Sequence, residues 1–358
     1  MTYNNTINNQ SFTPKMRRAL IQTWYGPEAW PSVIKRTFDL YPPNPSPYEL
    51  HTITVFVSNS LPNQTQHTHT DCMHVASEPG DYAFKKLPPR PSTAATAALF
   101  GNTDDTAAIL QLEESLQVCG LYVIGEPDTI VEITMKYYDV NCETGALMAF
   151  VDGWELNGEY FPSLRDHHRS LEDRVQEFCN NYKQWPRLSG KKFFRSSQNA
   201  ALLQYRIPVK GSFIANVRFH KITQPCNILV QDIDALYTIA NYGHNRNCTI
   251  SALFPAVVSV ANLKIGGKAV RQDKPNYDCG MFADRLEVGG SSGLDSTTME
   301  KSSEICGLAT EPGPEQAIFC GVTTLRLVST GRFQNQAAVM IRKADEHDLD
   351  KATLICAL

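Results

Sequence analysis

The alternation of apolar and polar residues is the dominant pattern along this chain. In residues 129–139, apolar side chains at every second position alternate with Glu132, Thr134 and Lys136. Successive side chains of a strand point to opposite faces of the sheet, so this pattern predicts a strand with one buried face. The same reasoning predicts strands over residues 51–57, 146–154, 212–220, 227–239, 249–265, 317–328 and 333–342.

Two segments show a helical period instead. Thr106–Val118 and Ser170–Lys183 each place their apolar residues on one stripe. Ser170 and Asp173 resemble a capping box at the start of the second segment. Residues 59–105 are rich in Pro, Thr, Asn, Gly and Ser, which predicts a long loop. The expected fold class is therefore mainly β, a sandwich or barrel with two short helices and long loops.

Composition narrows the class of protein further. The chain has 358 residues, of which 42% are hydrophobic and 20% charged, which is typical of a globular protein with a substantial core. The net charge of -4 disfavours nucleic-acid binding through high overall positive charge, so such binding requires local basic patches. No apolar run reaches the length that crosses a bilayer, and we expect no membrane insertion.

The cysteines give no clear metal or redox motif. There are 10 Cys, and none forms a CxxC pair, which disfavours a zinc ribbon or a thioredoxin-type site. The first residues, MTYNNTINNQ, lack the basic and apolar regions of a secretory signal. The expectation from these observations is a cytosolic protein with reduced thiols.

A histidine-rich segment is the first candidate for chemistry. His67, His69 and Asp71 alternate along one segment, and imidazole together with carboxylate suits zinc. The segment resembles the HxHxDH signature of the metallo-β-lactamase fold, although Cys72 stands where that signature has its third His. A metal-dependent hydrolase is one alternative, and a loop with solvated histidines is the other.

A second candidate surrounds Cys279. The sequence Tyr-Asp-Cys-Gly-Met-Phe-Ala over residues 277–283, with Gln272 upstream, resembles the nucleophile segment of Ulp-type SUMO-cysteine proteases. That resemblance implies Cys279 as nucleophile, activated by His220 and oriented by Asp234. The other interpretation is an inert loop cysteine. A solvated pair is likewise the expectation for His167 and His168.

The ends of the chain carry two charged clusters. The Asn-rich arm ends in a basic patch, and a proline-rich connector over residues 42–47 follows it. Proline lacks an N–H and restricts its predecessor, so this connector is expected to be extended. Near the other end, acids that could supply calcium with oxygen ligands gather at Asp345, Glu346, Asp348 and Asp350.

As a whole-chain layout, the protein resembles the single jelly-roll coat proteins of small icosahedral RNA viruses. The nodavirus-like and sobemovirus-like groups and the alvernaviruses of dinoflagellates share the order of arm, connector and β-rich body. The resemblance implies a single jelly-roll β-sandwich shell domain over residues 49–344, an arm and connector over 1–48, and a tail over 345–358. The residues that carry it are Lys15, Arg17, Arg18, the prolines of residues 42–47 and the alternating strands.

The function implied by this resemblance is structural and not enzymatic. The chain would self-assemble into a capsid around genomic RNA, in the virion and in the host cytoplasm during assembly. RNA would contact Lys15, Arg17, Arg18, Lys35 and Arg36, and calcium at subunit interfaces would bind the acids of residues 345–350. Besides the two enzymes, the alternative is a non-viral β-sandwich binding module that remains monomeric.

Overall fold

The computed structural model describes residues 34–39, 52–57, 66–69, 72–87, 117–180, 192–232, 234–266, 275–280 and 282–356. In the first three of these ranges only the backbone strands are described. Strand β1 (Ile34–Asp39) pairs antiparallel with β2 (Thr52–Val57) as a two-stranded sheet. The rest of the described chain builds two β-sandwiches, one on each side of residues 222–226.

Ten strands between residues 66 and 221 build the N-terminal sandwich. They are β3 (Gln66–His69), β4 (Met73–Ala76), β5 (Gly80–Lys86), β6 (Cys119–Ile124), β7 (Thr129–Asp139), β8 (Leu147–Val151), β11 (Val175–Phe178), β12 (Phe193–Arg195), β13 (Ala200–Arg206) and β14 (Gly211–Lys221). One sheet has the order β12-β7-β14-β5-β3, and the other has the order β11-β8-β13-β6-β4. A hairpin of β9 (Trp154–Leu156) and β10 (Glu159–Phe161) lies outside both sheets.

The inner faces of these two sheets enclose the first core. Ile133 and Val217 from one sheet and Met148 and Leu203 from the other are all fully buried in it. They come from strands that alternate apolar and polar residues, so burial of one face per strand drives the pairing.

The remaining strands build the C-terminal sandwich. They are β15 (Asn227–Val230), β16 (Asp234–Ala240), β17 (Cys248–Ala252), β18 (Ala256–Ile265), β19 (Arg285–Ser291), β20 (Glu300–Ile305), β21 (Gly307–Ala309), β22 (Gln316–Phe319), β23 (Val322–Val328), β24 (Gln336–Lys343) and β25 (Ala352–Ile355). One sheet has the order β15-β17-β23-β19-β20. The other has the order β16-β24-β18-β22-β25, with β21 beside β18. Ile250 and Leu325 face Ile239 and Val339 across the second core.

A third apolar cluster joins the two sandwiches. Tyr122 and Leu202 point from the outer face of the N-terminal sheet toward Trp154 of the hairpin and toward Leu229 and Leu294 of the C-terminal sandwich. All five side chains are buried, so the junction between the sandwiches is packed as a protein core is.

Helices play a small part in the described chain. One turn of α-helix, α1 (Leu171–Arg174), follows Ser170, whose hydroxyl accepts a hydrogen bond from the Asp173 N–H as the capping pattern predicts. The chain then continues as β11, so the helix predicted over Ser170–Lys183 is limited to its first turn. Short 3-10 helices span Cys142–Thr144 and Glu346–Lys351. The other predicted helix lies outside the described residues, except for its last two positions.

The prediction of a mainly β chain is confirmed. A single jelly-roll sandwich is not confirmed, because the strands divide into the four sheets described above. The loop predicted over residues 59–105 contains β3, β4 and β5, so that prediction is wrong for this part. The tail predicted over residues 345–358 contributes β25 to a sheet. The domain limits at 48 and 344 remain predictions.

Candidate functional site

Cys279 forms no catalytic thiol. Its sulfur is bonded to Cys306, and only 5% of the residue is exposed. His220 belongs to the other sandwich, where its Nε2 lies 2.7 Å from the Glu132 carboxylate. A cysteine protease requires a free thiolate, so the protease alternative is wrong.

All ten cysteines are paired in five disulfides: Cys72–Cys119, Cys142–Cys179, Cys226–Cys248, Cys279–Cys306 and Cys320–Cys356. No disulfide joins the two sandwiches. The first two lie within residues 72–179 and the other three within residues 226–356. Such a set forms and persists in an oxidising compartment, so the expectation of reduced cytosolic thiols is wrong.

Most of the other candidate residues lie outside the described part of the chain. Cys72 of the histidine-rich segment is a disulfide partner, while the side chains of His67, His69 and Asp71 lie outside the described residues. The same is true of the basic candidates Lys15, Arg17, Arg18, Lys35 and Arg36. Among the described residues, no three His, Cys, Asp or Glu side chains are placed to share a metal ion. A binding site at these five basic residues stays a prediction.

The acids of residues 345–350 have structural partners. Asp345 caps the 3-10 helix by accepting the backbone N–H groups of His347 and Asp348. The Asp348 carboxylate accepts two 2.7 Å bonds from Arg342. Calcium binding by Asp345, Glu346, Asp348 and Asp350 stays a prediction, and the carboxylates of Asp345 and Asp348 already have partners within the chain.

A network of buried charges lies at the junction of the two sandwiches. Asp166, from the loop after β10, faces Arg326 of β23, with contacts of 2.8–3.0 Å between its carboxylate and the guanidinium. Ser296 donates a further 2.6 Å bond to Asp166. Burial alone would raise the pKa of Asp166, but the hydrogen bonds from Arg326 and Ser296 outweigh it and lower that pKa.

Glu287 of β19 extends this junction network. It is 1% exposed and contacts Arg285, Lys301 and Arg326. Burial acts to raise the pKa of Glu287, and the surrounding cations lower it overall. The buried acids of the network therefore have cationic partners, and the network acts to fix one sandwich on the other.

A further buried carboxylate, Asp152, lies directly after β8. It accepts hydrogen bonds from the Ser197 N–H and hydroxyl at 2.7 and 2.6 Å and from the Gln198 amide at 2.8 Å. The His167 Nε2 lies 3.3 Å from it, and the His167 ring stacks on His168. Burial would raise the pKa of Asp152, but these neighbours lower it to about 2. Since the His167 side chain is fully buried, the expectation of a solvated histidine pair is wrong for His167, whereas His168 is exposed.

A cleft opens where the β6–β7 turn of the first sandwich meets β15 and β16 of the second. Its volume is about 270 Å³. We call it the junction cleft, and its lining consists of Glu126, Pro127, Asp128, Pro225, Ile228, Asp232, Ala235, Leu236, Tyr237 and Thr238. Prolines and aliphatic side chains form its walls, and three carboxylates lie among them.

These cleft carboxylates differ from those of the junction network. Asp128 is half exposed and contacts Lys221 at 2.5 Å. Within the described part of the chain, the carboxylates of Glu126 and Asp232 have no cationic partner, and both residues are exposed. The cleft therefore combines apolar walls with uncompensated negative charge.

One polar atom of the junction cleft is buried without a hydrogen bond. The hydroxyl of Tyr237, a residue that is 4% exposed, lies near the Asp232 backbone but makes no bond of normal geometry. Burial raises the pKa of Tyr237 to about 12, and the nearby Asp232 and Glu126 carboxylates add to this. Buried polar atoms normally have a partner, so this hydroxyl has capacity for a ligand.

Strand β16 forms one wall of the junction cleft and the free edge of its sheet. It pairs only with β24 among the described strands. The Asn241 N–H donates to the Asn335 carbonyl at 3.2 Å, one position beyond the end of this pairing. Because hydrogen-bonded pairs alternate in an antiparallel ladder, Tyr237 and Ile239 bond to β24. The backbone groups of Leu236 and Thr238 then point away from the sheet.

Comparison with known proteins identifies the family. Residues 106–221 match the model of the corticotropin-releasing factor binding protein N-terminal domain, and residues 228–350 match that of its C-terminal domain. The chain belongs to the corticotropin-releasing factor-binding protein family. The boundary between the two matches coincides with the boundary between the two sandwiches, since β14 ends at Lys221 and β15 begins at Asn227. Strands β3, β4 and β5 precede the first match, and β25 follows the second.

Individual members of the family confirm this relationship. The corticotropin-releasing factor-binding protein of Xenopus laevis is 30% identical over 230 residues, which is 63% of this chain and 70% of that protein. The Homo sapiens protein is 28% identical over 234 residues, which is 65% of this chain and 70% of that protein.

The similar solved structures are more distant. The CUB1-EGF-CUB2 domains of rat MASP-1 cover 75% of this chain and 99% of their own, with 10% identity and a TM-score of 0.25. The CUB1-EGF-CUB2 domain of human MASP-1/3 covers 64% of this chain and 94% of its own, with 10% identity and a TM-score of 0.23.

Family membership corrects the functional prediction. The chain is not a viral coat protein, so the expected icosahedral shell, genomic RNA partner and virion location are wrong. The metal-dependent hydrolase alternative is wrong as well. The prediction that the chain is not an enzyme is confirmed, because members of this family are binding proteins. In the described part of the chain, no helix is long and apolar enough to cross a membrane.

Proposed function

We propose that this chain is a binding protein for a peptide of the corticotropin-releasing factor type. The observation that carries the proposal is the match of both family domains in tandem, over residues 106–221 and 228–350. Relatives named for binding this peptide hormone share both domains with the chain.

The geometry of the junction supports the proposal. The buried charge network and the apolar cluster around Leu229 and Leu294 hold two sandwiches together around a cleft. A preformed cleft lowers the conformational entropy that a peptide complex loses on binding. Five disulfides also suit a protein that meets its ligand in an oxidising compartment.

The test is a binding measurement on the full chain. Fluorescently labelled corticotropin-releasing factor is titrated with the protein and its anisotropy recorded, with a scrambled peptide of the same composition as control. We expect saturable binding at one peptide per chain and much weaker binding of the scrambled peptide. Equal signals from the two peptides would contradict the proposed function.

A further inference from the structure

The free edge of β16 differs from the charged edge strand of the neighbouring sheet. At that edge, β20 carries Glu300, Lys301 and Glu304, the kind of charged residues that discourage pairing with a further strand. Strand β16 has the sequence DALYTIA, with no lysine, proline or bulge. Its outer face exposes 59% of Leu236, and the opposite Met340 of β24 is 39% exposed.

The backbone at this edge suits an added strand. The N–H and C=O groups of Leu236 and Thr238 point off the sheet, and both residues line the junction cleft. Extended peptides bind such edges through main-chain hydrogen bonds, and their side chains enter adjacent pockets.

The chemistry of the junction cleft selects the side chain that would enter it. Glu126 and Asp232 carry negative charge without a cationic partner among the described residues. The unpaired Tyr237 hydroxyl, an independent observation, supplies a further hydrogen-bonding group in the same cleft. A lysine or arginine side chain carries the charge that Glu126 and Asp232 attract and N–H groups that the Tyr237 hydroxyl can accept, and its methylene stem suits the walls formed by Pro127 and Ile228.

We propose that β16 binds an extended, basic segment of the peptide ligand as an additional β-strand, with a lysine or arginine of that segment held by Glu126 and Asp232 in the junction cleft. This inference rests on the proposed function and names the site at which the peptide binds. An apolar residue next to it in the segment would lie on Leu236 and Met340, because successive side chains of a strand point to opposite faces and Leu236 faces away from Tyr237.

The test compares variants of the full chain for binding of corticotropin-releasing factor. Leu236→Pro removes an N–H that points off the sheet and leaves the bonds to β24 in place, a position at which edge strands tolerate proline. Its matched control, Leu236→Ala, keeps the N–H and removes only the apolar contact. We expect Leu236→Pro to weaken binding about 10-fold or more and Leu236→Ala only a few-fold.

A second pair of variants tests the charges independently of the backbone. The double variant Glu126→Gln/Asp232→Asn is expected to weaken binding about 10-fold and to reduce its dependence on salt. The double variant Glu172→Gln/Glu300→Gln removes the same charge at exposed sites away from the cleft and is expected to bind like the wild type. This pair remains informative if Leu236→Pro does not fold.

The outcomes separate the inference from the proposed function. Wild-type binding with no loss in either Leu236→Pro or the cleft double variant overturns the inference and leaves the function standing. Equal losses in Leu236→Pro and Leu236→Ala overturn the added strand, because the side chain alone then explains the effect. A wild-type protein that does not bind the peptide contradicts the proposed function, and the inference falls with it.

Discussion

The junction network and the junction cleft both contain carboxylates at the meeting of two sandwiches, but they use them in opposite ways. Asp166 and Glu287 are buried and bonded to cations within the chain. Glu126 and Asp232 are exposed on a cleft and have no cationic partner among the described residues. The same type of side chain therefore stabilises the fold in one place and is free to bind a ligand in the other.

The largest effect is expected from breaking the junction network at Arg326. Arg326→Met leaves Asp166 and Glu287 buried without their shared partner, which is expected to cost about 3–5 kcal/mol of the free energy of unfolding. Urea unfolding measures this loss. Arg332→Met, at an exposed position, is the control and is expected to change stability by less than about 0.5 kcal/mol. Equal stability of the two variants would show that the network does not hold the junction.

The disulfides allow a comparison between the cleft and a site away from it. Cys226–Cys248 lies beside Pro225 of the cleft, whereas Cys320–Cys356 lies at the opposite end of the sheet order from β16. Replacing either pair by serine is expected to cost about 2–4 kcal/mol of stability, measured by thermal unfolding. Only loss of Cys226–Cys248 is expected to weaken peptide binding as well. If loss of either disulfide weakened binding equally, the result would argue against the junction cleft as the peptide-binding site.

Acid titration tests the buried Asp152. Its pKa is about 2 in the folded protein and 3.8 ordinarily, so its charge stabilises the fold above pH 4 and this contribution disappears as the pH falls through 2. The difference corresponds to about 2 kcal/mol at neutral pH. We expect Asp152→Asn to be less stable than the wild type by about this amount at pH 7 and to approach it near pH 2, in urea unfolding. A constant difference across this range would refute the assignment.

The smallest effect on stability is expected at the junction cleft itself. Because Glu126 and Asp232 are exposed and unpaired among the described residues, Glu126→Gln/Asp232→Asn is expected to change the free energy of unfolding by less than about 0.5 kcal/mol. Urea unfolding of this variant and of the wild type measures the change in the free energy of unfolding. A large loss of stability would show that these acids stabilise the fold, as Asp166 does.

The alternation of apolar and polar residues predicts much of the strand content correctly. The strand predicted over residues 129–139 is β7, and the one over 212–220 is β14 with one more residue at each end. Residues 80–86 were assigned to a loop, although Tyr82 and Phe84 alternate there. Only Tyr82 and Phe84 mark the buried face of this strand, and so short an alternation does not stand out from the surrounding Pro, Gly and Thr residues.

The division into two sandwiches could not be read from the strand pattern. Alternation shows that one face of a strand is buried, but not which strand it pairs with. Most pairs in both sandwiches join distant parts of the chain, such as β5 with β14 and β16 with β24. The cysteines were also misjudged. An even number of cysteines is compatible with a disulfide framework, but the lack of a secretory-signal pattern in the first residues favours reduced thiols, whereas the structure pairs all ten.

The candidate site could not be predicted either, because the sequence does not show which distant segments come together. Glu126 and Asp232 lie more than a hundred positions apart, and only the fold brings them to one cleft with Tyr237. His167 beside Asp166 was visible as a polar cluster, but its burial depends on the neighbouring β8 and on the loop before β13. Sequence shows which groups can ionise, and packing decides which of them are paired.

Hydrogen exchange of the β16 amides tests the central claim most directly. In the free protein, the amides of Tyr237 and Ile239, bonded to β24, are expected to exchange slowly, and those of Leu236 and Thr238 quickly. With saturating corticotropin-releasing factor, we expect Leu236 and Thr238 to become protected as well, while the amides around Asp166 and Arg326 stay unchanged. Unchanged exchange at Leu236 and Thr238 in the complex would show that the peptide binds elsewhere.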